Sequence, residues 1–397
     1  MTPERQQELL AVYRDGLLKD TLPFWLPRSI DKEHGGFLLM RDRDGSVLDT
    51  DKGMWQQCRF TWLLATLHNY IDPREEWLNT AIHGIKFIGK NGFDDDGRMW
   101  FHVSRDGKPI RKRRYAFTET FGAIAYSALA KATGKSEFSN KAIDLFHLAR
   151  QHFKDLSPDN PKFTKTRPSK SIGSPMIQMS TAQELRTNLG DQSFTTHIDE
   201  AIDEIRNDFV KPDIGCVMET VAIDGSILDH FDGRTLNPGH AIECAWFILA
   251  EAQWRNNDPE LIHLGCQMID WMWARGWDDE YGGILYFRDI HEKPVQEYWH
   301  DMKFWWPHNE AIIASLLAWI LTGDEKYANM HKKVHDWAYS HFPDTEHGEW
   351  FGYLHRDGNP SVTLKGNLWK GPFHLPRMQL VCWQLLEQYA RINQALL

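Results

Sequence analysis

Six strongly apolar helical patterns recur along this chain, and that repeat limits its fold more than any other feature. They begin at Met54, Phe117, Pro175, Pro238, Pro307 and Pro376, at intervals of 58 to 69 residues. The expected spans are 54–70, 117–133, 175–189, 238–254, 307–321 and 376–390. Four of the six open on a proline in the first helical turn, where a missing N–H forfeits no intrahelical bond. Five amphipathic patterns lie between and after them, at 76–89, 137–154, 198–209, 261–274 and 325–341. A helix that is apolar all round must be buried, and one with a charged face can cover it. The alternation predicts an all-α fold, an (α/α)6 barrel, with residues 1–397 as a single domain. The alternative is an open solenoid, which needs atypical capping repeats and encloses no deep cavity.

Acidic turns closed by glycine punctuate the repeat. They start at Asp31, Asp94, Asp278 and Asp344, with weaker members at Asp155 and Asp213. Second turns follow at Arg43-Asp44-Gly45, Arg105-Asp106-Gly107 and Arg356-Asp357-Gly358. Asp-Gly turns between aromatic and β-branched residues predict short β-hairpins, gathered at one end of the barrel. Residues 157–174, with Pro158, Pro161 and Pro168, are expected to form a long loop. Gly134 and Gly323 are expected to cap inner helices.

If the inner helices run parallel, their first turns converge on one cavity mouth. In the fourth, Asn237 caps a helix that places His240 and Glu243 on one face. The positive end of the helix dipole disfavours an imidazolium there and keeps the ring neutral and basic. The fifth brings Trp305, Trp306, His308 and Glu310, preceded by Lys303. The sixth brings His374 and Arg377, the first Trp55 and Arg59, and the third Met176. Arg59 on an apolar helix needs an acidic partner or an anionic ligand. Glu243 and Glu310 either simply favour the helix dipole or belong with the other ionisable residues of the mouth to a functional site. His331, His335 and His341 fall on a polar outer helix and are expected at the surface.

Composition narrows the partners. A net charge of −10 argues against nucleic acid and anionic membranes. No apolar run reaches the roughly 18 residues of a membrane span. The polar N-terminus lacks a signal-peptide core. Five scattered cysteines without a CxxC pair suit a reducing, cytoplasmic setting. Eighteen tryptophans, including Trp305-Trp306, Trp271 with Trp273, and Trp369, supply candidate walls for a carbohydrate site. Phosphate-binding glycine motifs, HExxH and GxSxG are absent, and His240/Glu243 lacks a third ligand at a recognisable spacing, so no metal is expected.

Several stretches carry a more specific resemblance: Asn237-Pro238-Gly239-His240, Met302-Lys303-Phe304-Trp305-Trp306-Pro307-His308-Asn309-Glu310, Gly348-Glu349-Trp350-Phe351-Gly352-Tyr353-Leu354 and Lys370-Gly371-Pro372-Phe373-His374-Leu375-Pro376-Arg377. Glu33-His34-Gly35-Gly36-Phe37 and Arg114-Tyr115-Ala116-Phe117-Thr118-Glu119 add to it. From about residue 20 to 390 the chain resembles the N-acylglucosamine 2-epimerase (renin-binding protein) family. The resemblance implies interconversion of N-acetylglucosamine and N-acetylmannosamine, ATP as an effector that is not consumed, and a homodimer. It also implies that His240 and His374 are the catalytic histidines, with Arg59 and Glu310 essential beside them. Glu243 is expected to assist, and Trp55, Lys303, Trp306, His308, Arg377 and Met176 to bind the sugar. Cellobiose epimerases and mannose isomerases on this barrel carry a further histidine in the third inner helix, which here reads Ser174-Pro175-Met176-Ile177-Gln178-Met179-Ser180. That favours the N-acyl sugar, with an aldose–ketose isomerase or a 2-epimerase of an unsubstituted sugar as the alternative.

Overall fold

The computed structural model describes residues 1–112, 116–154 and 164–395. The six apolar patterns are helices α3 (Met54–Tyr70), α5 (Phe117–Thr133), α7 (Gly173–Leu189), α10 (Pro238–Trp254), α12 (Trp305–Thr322) and α14 (His374–Ala395). Each packs on the next in that order. Phe373, which leads into α14, closes the ring by packing on Trp62 of α3 at 5.4 Å. The amphipathic patterns are α4 (Glu75–Asn91), α6 (Ser136–Lys154), α8 (Thr195–Glu204, extended by a π turn over Ile205–Phe209), α11 (Pro259–Gly276) and α13 (Glu325–His341). A single turn, α9 (Phe231–Arg234), precedes α10. The architecture is the (α/α)6 barrel.

The sixth outer element is one the periodicity did not disclose. Helices α1 (Pro3–Asp15) and α2 (Leu22–Ser29), joined by a π turn at Gly16–Thr21, come first in the chain and pack on α14. This N-terminal helix also overturns the surface reading of two histidines. The Tyr13 hydroxyl lies 2.9 Å from both His331 and His335, and the two imidazoles are buried beneath α1. Burial pushes His335 down to about 3 and His331 well below the ordinary range, so both rings are neutral packing groups.

Three of the four prolines sit two residues inside their helices, because α7, α12 and α14 begin at Gly173, Trp305 and His374. The first turn tolerates proline at any of these positions, since its N–H groups have no intrahelical acceptors. At the other end, Gly134 and Gly323 adopt φ of 69° and 70°, the left-handed cap that a side chain would strain.

The acidic turns fold as expected where they are described. Bridges Ile30–Phe37, Phe93–Met99, Trp277–Ile284 and Pro343–Trp350 bracket four of them, and strands Val210–Lys211 and Cys216–Val217 bracket the fifth. The Asp155 turn, the first part of the 157–174 loop, and Arg114-Tyr115 lie outside the described residues. Antiparallel pairs also form around Asp44-Gly45, Asp106-Gly107 and Asp357-Gly358. Short strands run straight into α3, α10 and α12 at Lys52–Gly53, Thr235–Leu236 and Lys303–Phe304. The hairpins therefore collect at the N-terminal ends of the inner helices and wall the cavity mouth.

Candidate active site

A cavity of about 1260 Å³ occupies the barrel axis, with a lining more apolar than polar. His240, His374, Arg59, Glu243, Arg377, Trp55, Trp306 and Met176 all line it. Residues more than 300 positions apart in sequence thus meet at the converging first turns.

His374 is the enclosed member of the histidine pair. Its Nδ1 lies 2.7 Å from Glu310 Oε1, with 11% of its side chain and none of the glutamate's exposed. Burial, and next the Arg377 guanidinium, hold this imidazole well below the usual histidine range. The ring is therefore neutral and donates Nδ1–H to Glu310. Its basic Nε2 has no hydrogen-bond partner among the described residues.

His240 stands in the first turn of α10, whose cap forms as the sequence suggests: Asn237 Oδ1 accepts the His240 N–H at 3.2 Å. Its Nδ1 is 3.1 Å from both oxygens of Glu219, and a third of its side chain is exposed. The Trp306 ring touches both imidazoles, at 4.9 Å from His240 and 5.8 Å from His374. Gly239 lets the tryptophan approach, because a Cβ there would meet the ring at 2.8 Å.

Arg59 is the unusual charge. Its guanidinium lies 4.0 Å over Phe121 and 4.4 Å over Phe373, its Nε has no hydrogen-bond acceptor, and no carboxylate pairs with it among the described residues. Burial pushes it down to about 9, which leaves it cationic at neutral pH. A desolvated cation held only by aromatic faces is suited to an anion that arrives with, or develops on, a substrate.

Glu243, Glu310 and His374 present ligand atoms within 4.8 Å of one another, a cluster of the kind that binds metal. Here Nη2 of Arg377 sits among them, pairing with Glu243 and with Glu310 and lying 3.3 Å from His374 Nδ1. The guanidinium takes the place a cation would fill. Trp246 Nε1 donates to the second Glu310 oxygen at 2.7 Å, so Glu310 is held from three sides.

Two expected sugar-binding residues do not line the cavity. Lys303 is fully buried with its Nζ 2.9 Å from Asp278. His308 is also fully buried: Nδ1 donates to Phe304 O at 2.6 Å, and Nε2 accepts the Ile284 N–H at 2.9 Å. Burial pushes His308 down to about 3, and it stacks on Trp337 at 4.8 Å. Trp305, Trp306 and Trp369 line the cavity, whereas Trp271 and Trp273 lie on the outer helix α11.

Sequence reasoning missed Glu219, Trp62, Trp246 and Glu184, all of which line the cavity. Trp62 donates to Glu184 at 3.0 Å, and burial raises that carboxyl. The two tryptophans belong to inner helices and were legible as apolar filler. Glu219 lies between short strands and left no periodic trace.

Comparisons with known proteins give the family and the fold. The family model for N-acylglucosamine 2-epimerase (GlcNAc 2-epimerase) matches residues 35–374. The N-acylglucosamine 2-epimerase of Mus musculus is 33% identical over 399 residues, covering 96% of this chain and 94% of its own. Two solved structures share the fold. Cellobiose 2-epimerase from Bacillus thermoamylovorans superposes with a TM-score of 0.84 at 20% identity, covering 96% of this chain and all of that one. A D-mannose isomerase does so with a TM-score of 0.81 at 18% identity, covering 98% of each chain.

Proposed function

The chain belongs to the N-acylglucosamine 2-epimerase family, which makes it a carbohydrate epimerase, and on that premise we propose that it inverts C2 of N-acetylglucosamine and N-acetylmannosamine. In the ring-opened sugar the C2 proton is α to the aldehyde. Its removal leaves an enolate, and its return to the opposite face gives the other epimer. Two bases are required, and His240 and His374 take these roles through Nε2. When His374 accepts a proton, the Glu310 carboxylate at 2.7 Å stabilises the imidazolium. Arg59 stabilises the enolate oxygen, and the observation that carries the reading is its guanidinium, without a carboxylate partner among the described residues, in the same cavity as two carboxylate-held imidazoles. Glu243 fixes Arg377, and Trp55, Trp306 and Met176 wall the sugar.

Conversion of N-acetylmannosamine to N-acetylglucosamine, followed by NMR, tests this directly. His374→Ala and His240→Ala are each expected to lose at least about 10²-fold in kcat while keeping the helical circular-dichroism signal. Substantial residual turnover in either refutes the two-base assignment. Fructose from mannose would identify the aldose–ketose isomerase instead.

The finer family traits are proposals too: ATP as an effector that is not consumed, a homodimer, and a cytoplasmic setting. Five unpaired, buried cysteines suit a reducing compartment. Activity with and without ATP, with nucleotide analysed afterwards, and sedimentation of the full chain test the first two. Among the described residues no helix is long and apolar enough to cross a membrane.

A further inference from the structure

Glu219 is a cavity carboxylate that lies outside every sequence motif. Strand Thr220–Ala222 pairs with Ser169–Ser171, and the Glu219 backbone oxygen accepts the Ile172 N–H at 3.1 Å, so the residue is fixed against the start of α7. Its side chain reaches across to α10 and places both oxygens 3.1 Å from His240 Nδ1. Among the described residues it makes no other ion pair. Glu310 differs: it holds His374, Arg377 and Trp246 together. Removing Glu310 disturbs three partners, whereas removing Glu219 addresses one imidazole.

We propose that Glu219 is a positioning residue for the His240 half of the reaction alone. By accepting Nδ1–H it fixes the tautomer with a basic Nε2, and it stabilises the imidazolium that forms there. In one direction the C2–H bond breaks, the proton goes to the neutral His240 at Nε2, and the electron pair enters the enolate. His374, having first taken a proton from solvent at Nε2, delivers it to the other face; solvent then removes the proton from His240. In reverse, His374 abstracts and His240 delivers. Glu219 acts on abstraction in one direction and on delivery in the other. The inference rests on the epimerase reading above.

The test uses both N-acetyl sugars, each with protium or deuterium at C2, and the full-length wild type, Glu219→Ala and Glu219→Gln. In Glu219→Ala, kcat is expected to fall about 10²-fold with KM within about threefold, as befits loss of a base's orienting partner. The primary isotope effect on kcat/KM should rise for the epimer from which His240 abstracts. It should fall for the other, where the first step becomes reversible. Glu219→Gln retains an acceptor for Nδ1–H and should recover part of kcat with a weaker polarisation of the isotope effects. A merely structural role would leave the isotope effects alone or move both the same way. Equal movement, or wild-type rates in Glu219→Ala, overturns the proposal while wild-type turnover leaves the epimerase reading intact. A wild type inert towards both sugars overturns that reading and this inference with it.

Discussion

Two kinds of buried cation sit at the hairpin end of this barrel, and their partners separate scaffold from chemistry. Lys52, Lys303 and Lys365 are fully buried, and their ammonium groups lie 2.9, 2.9 and 3.1 Å from Asp31, Asp278 and Asp344. An arginine from another hairpin reaches each aspartate as well: Arg105 to Asp31, Arg356 to Asp278 and Arg43 to Asp344. Each triad pins one acidic turn to another part of the mouth. Arg59 is buried too but pairs with no carboxylate among the described residues, and aromatic rings pack around it instead. A buried charge with its counter-charge in place is structural. One without it is poised for a ligand.

Exchanging the two kinds of cation for methionine should split activity from stability. In Arg59→Met, kcat should fall by about 10²–10³-fold, the cost of removing one oxyanion donor. Its unfolding midpoint should hold or rise, because an uncompensated buried charge has gone. Lys303→Met should behave in the opposite way. Breaking one partner of a buried pair costs about 3–5 kcal/mol, and Arg356 remains on Asp278, so about 3 kcal/mol is expected in urea unfolding. Its kcat per folded molecule should stay within about twofold of wild type. An inactive but stable Lys303→Met would return that lysine to the catalytic group.

The smallest effect is in pH dependence. Burial alone would raise Asp278, but hydrogen bonds from Arg356 and Lys303 hold it well below its ordinary 3.8, and Asp344 is held likewise by Arg43 and Lys365. Their contribution is complete above that ordinary value and is lost as pH falls towards the folded values. Lys303 and Lys365 are lowered too, here because burial disfavours their charged form: both are pushed from 10.5 down to about 8. Between about pH 8 and 10.5 the unfolded chain holds these protons more firmly, so this linkage makes stability rise with pH. Urea midpoints measured from pH 3 to 6 should fall less steeply in Asp278→Asn than in wild type.

The same contrast explains what was legible in the sequence. Inner helices were readable because an all-apolar run has one place to go, and their ends fell within about two residues at most boundaries. The α1–α2 segment escaped because it precedes the first acidic turn and belongs with the last inner helix, a pairing no local pattern encodes. His240, His374 and Arg59 stood out as ionisable residues on apolar helices. His308, and Lys303 just ahead of the same helix, stood out beside them and proved structural, since sequence shows a charge but not its partner. A regular offset was the missed signal: Lys52 and Lys365 each follow their aspartates by 21 residues, and Lys303 by 25. Glu219 offered nothing comparable, being fixed by strand pairing across the third and fourth repeats.

The central claim is that two imidazoles exchange a proton with one sugar carbon. Turnover of N-acetylmannosamine in deuterium oxide, read by NMR at C2 of the product, tests it most directly. The account predicts one solvent-derived deuterium at C2 of the N-acetylglucosamine formed by wild type, and product formation at least about 10²-fold slower from His374→Ala. Epimerised product that retains its original C2 hydrogen throughout would contradict it.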